Sequence, residues 1–264
     1  MRLNKIFSLT IFYLLITPFI VLILWSFTQT WPAGELLPSE FGFRGWRYIL
    51  EPHSKVWHSL LVSLSLSGAV TLISLIISIP AGKAIAHYDF VGKSLVETLI
   101  LAPIIVPPIA VGMGIHLSFI KYGLADSFLG VLLIHLTVTL PYSVRIFISV
   151  FKAAGTKWDE QGRTLKANWW ARFRYITWYL IKPGLVTGSA LVFNVSFSQY
   201  FLTFLIGGGK VITLPLILFP FINSGDRVIA SSLSLIFILS SLFFMIIAEK
   251  CIEDNQRQSE FYYL

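Results

Sequence analysis

Polar residues set inside long apolar runs carry most of the chemistry this chain offers. Asn194, Ser196, Ser198 and Gln199 fall within six positions of one such run. At membrane depth an unsatisfied polar group is costly, so side chains of this kind turn toward a bundle interior or a wet cavity. These four residues are the candidate substrate pathway. His116 and His135 stand in two other apolar runs. Each admits an ion-handling role or a plainer one, a neutral imidazole bonded to a neighbouring helix. Ser63, Ser67, Thr71, Ser74 and Ser78 recur at helical spacing along a further run. Small residues in that register let helices approach closely, and close packing is a stronger reading of them than a solute track. The sequence contains no paired carboxylates, no nucleophile with a base and an orienting group, and no cluster with metal-ligand spacing. No catalytic residue, metal site or cofactor is expected in this chain. The run Gly207, Gly208, Gly209, Lys210 lacks the GxxxxGK[ST] spacing that wraps a phosphate and reads as a turn. The single cysteine, Cys251, excludes an internal disulfide and a CxxC pair.

A second constellation lies in 156–184, TKWDEQGRTLKANWWARFRYITWYLIKPG, the longest polar segment between apolar runs. Trp158, Gly162, Leu165 and Trp169 recur at offsets 0, 4, 7 and 11, one narrow stripe of a helix. Asp159, Arg163 and Lys166 fall on the opposite face. Thr156 followed by Asp159 has capping-box spacing, and Asn168 is placed to cap a second helix that runs on into the next apolar stretch. Pro183 and Gly184 would bend or restart that helix. The expected unit is a helical hairpin whose stripe packs on its own protein or docks a partner.

The elements that position these residues follow from composition. Of 264 residues 56% are hydrophobic and 12% charged, well below the charged share of a soluble domain. A bilayer crossing takes roughly 20 apolar residues, and six runs are long enough: 6–27, 59–86, 95–120, 127–151, 183–206 and 228–248. The first is longer than a signal-peptide core and has no convincing cleavage site, so it is expected to be retained. The reading is an all-α polytopic membrane protein with six transmembrane helices and a cytoplasmic hairpin. Residues 1–264 form a single membrane domain, with the polar segment at 152–175 and a tail at 250–264. An even number of crossings puts both termini on one side. Fourteen of the 20 Lys and Arg residues then share that side with the hairpin, and Arg44, Arg47, Lys55, Lys121, Lys210 and Arg227 lie on the other. The positive-inside rule makes the richer side cytoplasmic. It also explains the net charge of +7 without a nucleic-acid partner.

The hairpin resembles the signature of the permease subunits of binding-protein-dependent ATP-binding cassette importers. That signature is Glu-Ala-Ala, three residues, Gly, and about a dozen residues later Leu-Pro and Pro-Gly. Glu160, Gln161, Gly162, Leu165, Ala167, Asn168, Trp170, Phe173 and Lys182-Pro183-Gly184 follow it here. Gln161 and Gly162 replace the alanines, and Lys166 stands at the glycine, which should loosen the turn between the two helices. The resemblance extends over 58–248 through His58-Ser59, Pro80-Ala81-Gly82-Lys83-Ala84, Phe90-Val91-Gly92-Lys93, Pro103, Pro107-Pro108, Leu140-Pro141-Tyr142 and Thr213-Leu214-Pro215. It implies ATPase-coupling roles for Trp158, Asp159, Glu160, Gly162, Leu165, Lys166, Ala167 and Trp169. The implied partners are ATPase subunits that hold ATP and Mg, a second permease subunit that is a different chain, and an extracytoplasmic solute-binding protein, all at a bacterial inner membrane. The look is nearest the polyamine, thiamine and iron branches, although Gln199 stands where an acid often sits in the polyamine and iron branches. A secondary carrier or channel working without an ATPase is the alternative from another class, and a membrane-embedded enzyme a third.

Overall fold

The computed structural model describes residues 2–32, 34–35 and 37–260. In chain order the elements are α1 (Arg2–Ser26), β1 (Thr28–Thr30), β2 (Glu40–Phe41), α2 (Arg44–Leu50), a 3-10 turn (Pro52–Ser54) and α3 (Val56–His87). They continue through α4 (Lys93–Ile105), α5 (Pro108–Lys121), α6 (Phe128–Ala154), α7 (Lys157–Thr164), α8 (Trp169–Arg172) and a π-turn (Phe173–Thr177). The last are α9 (Trp178–Phe197), α10 (Phe201–Gly207), α11 (Leu214–Ser224) and α12 (Arg227–Glu260). The expected all-helical class holds, with a single two-stranded ladder among the described residues.

Among the described residues, four helices are long and apolar enough to cross a bilayer: α3, α6, the run Trp169–Phe197 and Arg227–Cys251. The expected third span is two helices, α4 and α5, bent by 102°. Consecutive prolines make the bend. Pro107 keeps Val106 out of the helical region (ψ 128°), Pro108 does the same to Pro107 (ψ 132°), and Pro108 then opens α5 from its first turn. The expected fifth span, 183–206, is also interrupted: α9 starts earlier, passes through Pro183 without a break and ends at Phe197, and α10 is separate. Within α1 the described apolar stretch, Phe12–Ser26, is shorter than a full crossing. Helix α12 continues to Glu260, so most of the expected tail is helical; 261–264 lie outside the described residues.

The chain's contacts form two compact units. One holds the N-terminal 61 residues and Thr213–Ser240. There β1 and β2 pair antiparallel, Trp25 stacks on Trp31 at 4.4 Å, and the Arg227 guanidinium lies 5.4 Å from the Trp25 ring centroid. Arg44 pairs with Asp226 at 2.5 Å, and Gly45 lies so near α12 that an added Cβ would sit 2.9 Å from the Val228 carbonyl oxygen.

The other unit, Val62–Ile212 with Ser241–Leu264, holds the helices that matter for the site. Its core joins Leu66 and Val70 of α3, Val131, Ile134 and Val138 of α6, Val192 of α9, and Leu202 and Ile206 of α10. A second cluster joins Phe147 and Phe151 of α6 to Ile181 and Leu185 of α9. The small-residue stripe of α3 is buried throughout, and Ser74 meets Thr139 of α6 at 3.2 Å. Gly82 approaches α6 closely enough that a Cβ would come within 2.6 Å of Phe147 Cβ. This is the packing role that small residues serve between spans.

Candidate functional site

The hairpin forms, with a different inside and outside from the one its stripe implies. Helix α7 is closed by two hydrogen bonds, Lys166 N–H to the Arg163 carbonyl at 2.9 Å and Ala167 N–H to the Gly162 carbonyl at 3.0 Å. That pair of bonds defines a Schellman ending, which needs a left-handed residue after the helix. Lys166 supplies it at φ 56°. The tight turn is therefore made without the glycine, and the expectation that Lys166 loosens it is corrected: the two bonds satisfy orphan carbonyls and hold lysine in a region that disfavours a side chain. Asn168 Oδ1 accepts from Ala171 N–H at 2.8 Å and starts α8, as its type and position suggest. The capping box at Thr156 is not made. Thr156 has helical backbone angles and no side-chain cap bond.

Asp159 is engaged elsewhere. Its carboxylate, 16% exposed, faces Arg163 at 3.2 Å, Arg172 at 3.6 Å and Lys83 of α3 at 3.8 Å. Hydrogen bonding with Tyr88, then the charge of Asp159, raises the pKa of Arg163 above its ordinary value. Gly162 is buried too, its Cα so near the next helix that an added Cβ would lie 3.0 Å from Ile176 and 3.1 Å from Arg172. The large apolar side chains are open to the surroundings: Trp158 is 57% exposed and Leu165 81%, while Trp169, 67% exposed, also borders the cavity that Asp159 lines, with Trp170 beside it. Glycine counted as part of the apolar stripe because it is not polar. With no side chain, it instead marks where two helices touch. The result is an acid turned in and an aromatic face turned out, the reverse of a helix that packs its stripe on its own chain. Glu160 is exposed and Ala167 half-buried.

The four expected pathway residues do not converge. Asn194 donates to the Ala190 carbonyl at 2.9 Å and accepts from Ser241 of α12 in a short hydrogen bond. Ser196 is buried against His135, with Ser196 Oγ 2.9 Å from Nδ1, while His135 Nε2 is 2.9 Å from Thr203 Oγ1. His135 thus ties α6 to α9 and α10. Ser198 is exposed at the break after α9 and donates to the Asn194 carbonyl at 2.8 Å. Gln199 follows it, half-buried. His116 is half-buried on α5.

Sequence reasoning missed an open groove of about 450 Å³ between α6 and α9. It is lined by Tyr142, Arg145, Ser149 and Thr187 together with Ile146, Val150, Leu191 and the Pro183-Gly184 pair. Tyr142, Arg145 and Ser149 stand at i, i+3 and i+7 on α6, a polar stripe apart from the buried His135 and Thr139. That spacing was the available signal. Among the described residues no group of three or more His, Cys, Asp or Glu is placed to hold a metal ion.

Several long apolar helices, a bent helix pair and an exposed hairpin between two of the long helices fit a polytopic membrane component. The family model for the inner membrane component of binding-protein-dependent transport systems matches residues 74–250, and the chain belongs to that family. A molybdate/tungstate transport system permease protein, WtpB of Thermococcus kodakarensis, is 30% identical over 137 residues, 52% of this chain and 55% of that one. The chain therefore spans about half the length of that relative. The Escherichia coli K12 molybdenum transport system permease protein ModB is 26% identical over 210 residues, covering 73% of this chain and 92% of ModB. A putative 2-aminoethylphosphonate transport system permease protein, PhnV of Salmonella typhimurium, is 24% identical over 242 residues, 88% and 87% of the two chains. In fold the chain is similar to a solved bacterial ABC transporter involved in the import of the acidic polysaccharide alginate. The TM-score is 0.74 at 15% identity, over 94% of this chain and 95% of the other.

Proposed function

We propose that the chain is the permease subunit of an ATP-binding cassette importer, forming the solute path and docking a separate ATPase through the hairpin. The observation that carries this reading is the exposure of Trp158 on α7, Leu165 at its end and Trp169 at the start of α8, on a hairpin whose Asp159 is turned inward, in a chain of this family. A carrier that works alone has no use for such a face. On this reading ATP and Mg are held by the partner, a second permease subunit completes the path, an extracytoplasmic binding protein delivers the solute, and this chain catalyses no reaction. The sixth crossing is α1, both termini are cytoplasmic, and the hairpin lies on the same side, following the distribution of Lys and Arg.

For the solute, two supports favour a small oxyanion over a polyamine or thiamine. The relatives' names refer to molybdate, tungstate and a phosphonate. The α6–α9 groove presents one cation, Arg145, with hydroxyls from Tyr142, Ser149 and Thr187 and no carboxylate. Arginine's fixed fork suits a tetrahedral oxyanion, and Arg145 and Ser149 also border a second pocket that holds Glu97 and Lys152. Ser198 and Gln199, at the α9–α10 break, line the outer part of the path, while Asn194 and Ser196 hold helices together.

The test is to purify the chain with its genomic neighbours, reconstitute it in vesicles and measure ATP-dependent uptake of molybdate, tungstate and 2-aminoethylphosphonate against putrescine and thiamine. Uptake of an oxyanion that requires the ATPase, with a loss of about tenfold or more in Arg145→Gln, is the expected outcome. Uptake by the chain alone, without nucleotide, would reject the importer. ATP-driven uptake of putrescine or thiamine that ignores Arg145 would reject the oxyanion.

A further inference from the structure

A cavity of about 510 Å³ in the Val62–Ile212 unit lies where α3 meets the hairpin, and the solute reading makes no use of it. Its lining changes character along its length. Ile76, Ile79, Pro80, Phe173 and Trp169, the last also on the exposed hairpin face, make an apolar wall, with Ile76 about 16 Å up the helix from the end of α3 at 1.5 Å per residue. Lys83, Arg163 and Arg172 gather at the other end. They share one carboxylate, Asp159, leaving two positive charges in excess.

That sharing is incomplete. Lys83 and Arg172 stand 3.8 and 3.6 Å from Asp159, beyond hydrogen-bonding distance, and Arg172 Nε and Nη1 are buried with no hydrogen-bond partner. A buried guanidinium with unmatched N–H groups beside an ammonium is short of acceptor oxygens. A phosphate brings them in the geometry that guanidinium forks match. A free phosphate would leave the Ile76, Ile79, Pro80 and Phe173 wall wet. An anionic phospholipid fills both ends at once, its phosphodiester among the cations and the start of an acyl chain along the wall. Basic pockets beside spans are a recognised means of holding such headgroups.

We propose that this cavity is a binding site for one anionic phospholipid, whose phosphate is held by Lys83 and Arg172 with Arg163 at the mouth. The occupant touches the same residues that hold Asp159, so it would set how firmly α7 is attached to α3. The site depends on the chain lying in a membrane and does not depend on what the chain transports.

The experiment uses the full chain, extracted in mild detergent and analysed by native mass spectrometry and thermal unfolding with added dioleoylphosphatidylglycerol, dioleoylphosphatidylcholine or inorganic phosphate. The expected result is one phosphatidylglycerol retained per chain, a raised unfolding temperature with that lipid only, and about tenfold weaker retention in the double variant Lys83→Gln, Arg172→Gln. Because the double variant could lose its fold, Arg163→Gln, at the exposed mouth, is measured beside it; it should weaken retention about threefold while unfolding at the wild-type temperature in lipid-free detergent. Equal retention of the phosphatidylcholine, stabilisation by inorganic phosphate without lipid, or unchanged phosphatidylglycerol retention in the folded Arg163→Gln variant would each overturn the assignment.

Discussion

Replacing Leu165 by aspartate separates docking from folding more cleanly than any other change in the hairpin. Leu165 is 81% exposed, so little of its side chain is buried by the chain itself. A surface substitution of this sort moves stability by about 0.5 kcal/mol or less. If the face enters a groove on an ATPase, the same side chain is buried there. Burial of a leucine is worth about 1.5–3 kcal/mol, and four-fifths of that is about 1.2–2.4 kcal/mol. An unpaired carboxylate put in its place adds a desolvation penalty of several kcal/mol. A total of about 3 kcal/mol is a conservative figure, and it corresponds to roughly 150-fold weaker association. The assay is ATPase binding to purified permease in detergent, with the unfolding temperature of each permease as the control. Leu165→Asp should unfold at the wild-type temperature, lose its ATPase, and lose uptake with it. A variant that folds normally and keeps full ATPase affinity would show that the face is not the docking surface. One that unfolds at a much lower temperature would show that the stripe supports its own chain, contrary to its exposure.

Gly162→Val should do the opposite. Its Cβ would be 3.0 Å from Ile176 and 3.1 Å from Arg172, so the hairpin must shift, at a cost of about 1–3 kcal/mol, and a lowered unfolding temperature with the docking side chains intact is the check. Lys166→Gly relieves a left-handed lysine, offset in part by the greater freedom glycine has when unfolded. Hydrogen exchange at 164–168 should slow by up to about fivefold, and faster exchange there would contradict the strain argument. For topology, single cysteines are placed in a Cys251→Ser background at Tyr122, which is 73% exposed, and at Ala167. The first should react with an impermeant thiol reagent in sealed cells and the second only after permeabilisation. Reaction of Ala167→Cys in sealed cells would invert the proposed orientation.

How much of this was legible in the sequence depended on whether a feature is local. The apolar runs at 59–86, 127–151 and 228–248 became α3, α6 and α12, because length and apolarity are properties of the run itself. Asn168 capped the helix it preceded for the same reason. The bend at Val106 was written in two adjacent prolines but hidden by unbroken apolarity. The break at Ser198-Gln199-Tyr200 contains no glycine or proline to announce it. The site was harder to read, because its decisive contacts join distant positions. Lys83 and Asp159 are 76 residues apart, and nothing local says that this acid faces a helix end instead of water. Arg145 lies inside the run 127–151, and its place in a groove depends on α9.

The two glycine-related departures from the family signature, Gly162 and Lys166, make one device. Without a side chain at 162, α7 lies against the Ile176 and Arg172 side chains with no layer between. The left-handed lysine at 166 reverses the chain within three residues and brings Asn168 into position to start the next helix. From there the run Trp169–Phe197 reaches α9, whose wall forms the α6–α9 groove. On its other side α7 is held to α3 by Asp159 and Lys83. A force applied to the exposed tryptophans therefore has two short routes into the spans, one through packed atoms to α9 and one through charges to α3. Packed contacts transmit displacement because interiors are nearly incompressible. Ion pairs at 3.6–3.8 Å yield more easily and respond to any anion that competes for their cations. On the proposed reading, the rigid route would couple a docked ATPase to the solute path. The compliant route is where the surrounding bilayer, through its anionic lipid, would adjust how tightly that coupling is held.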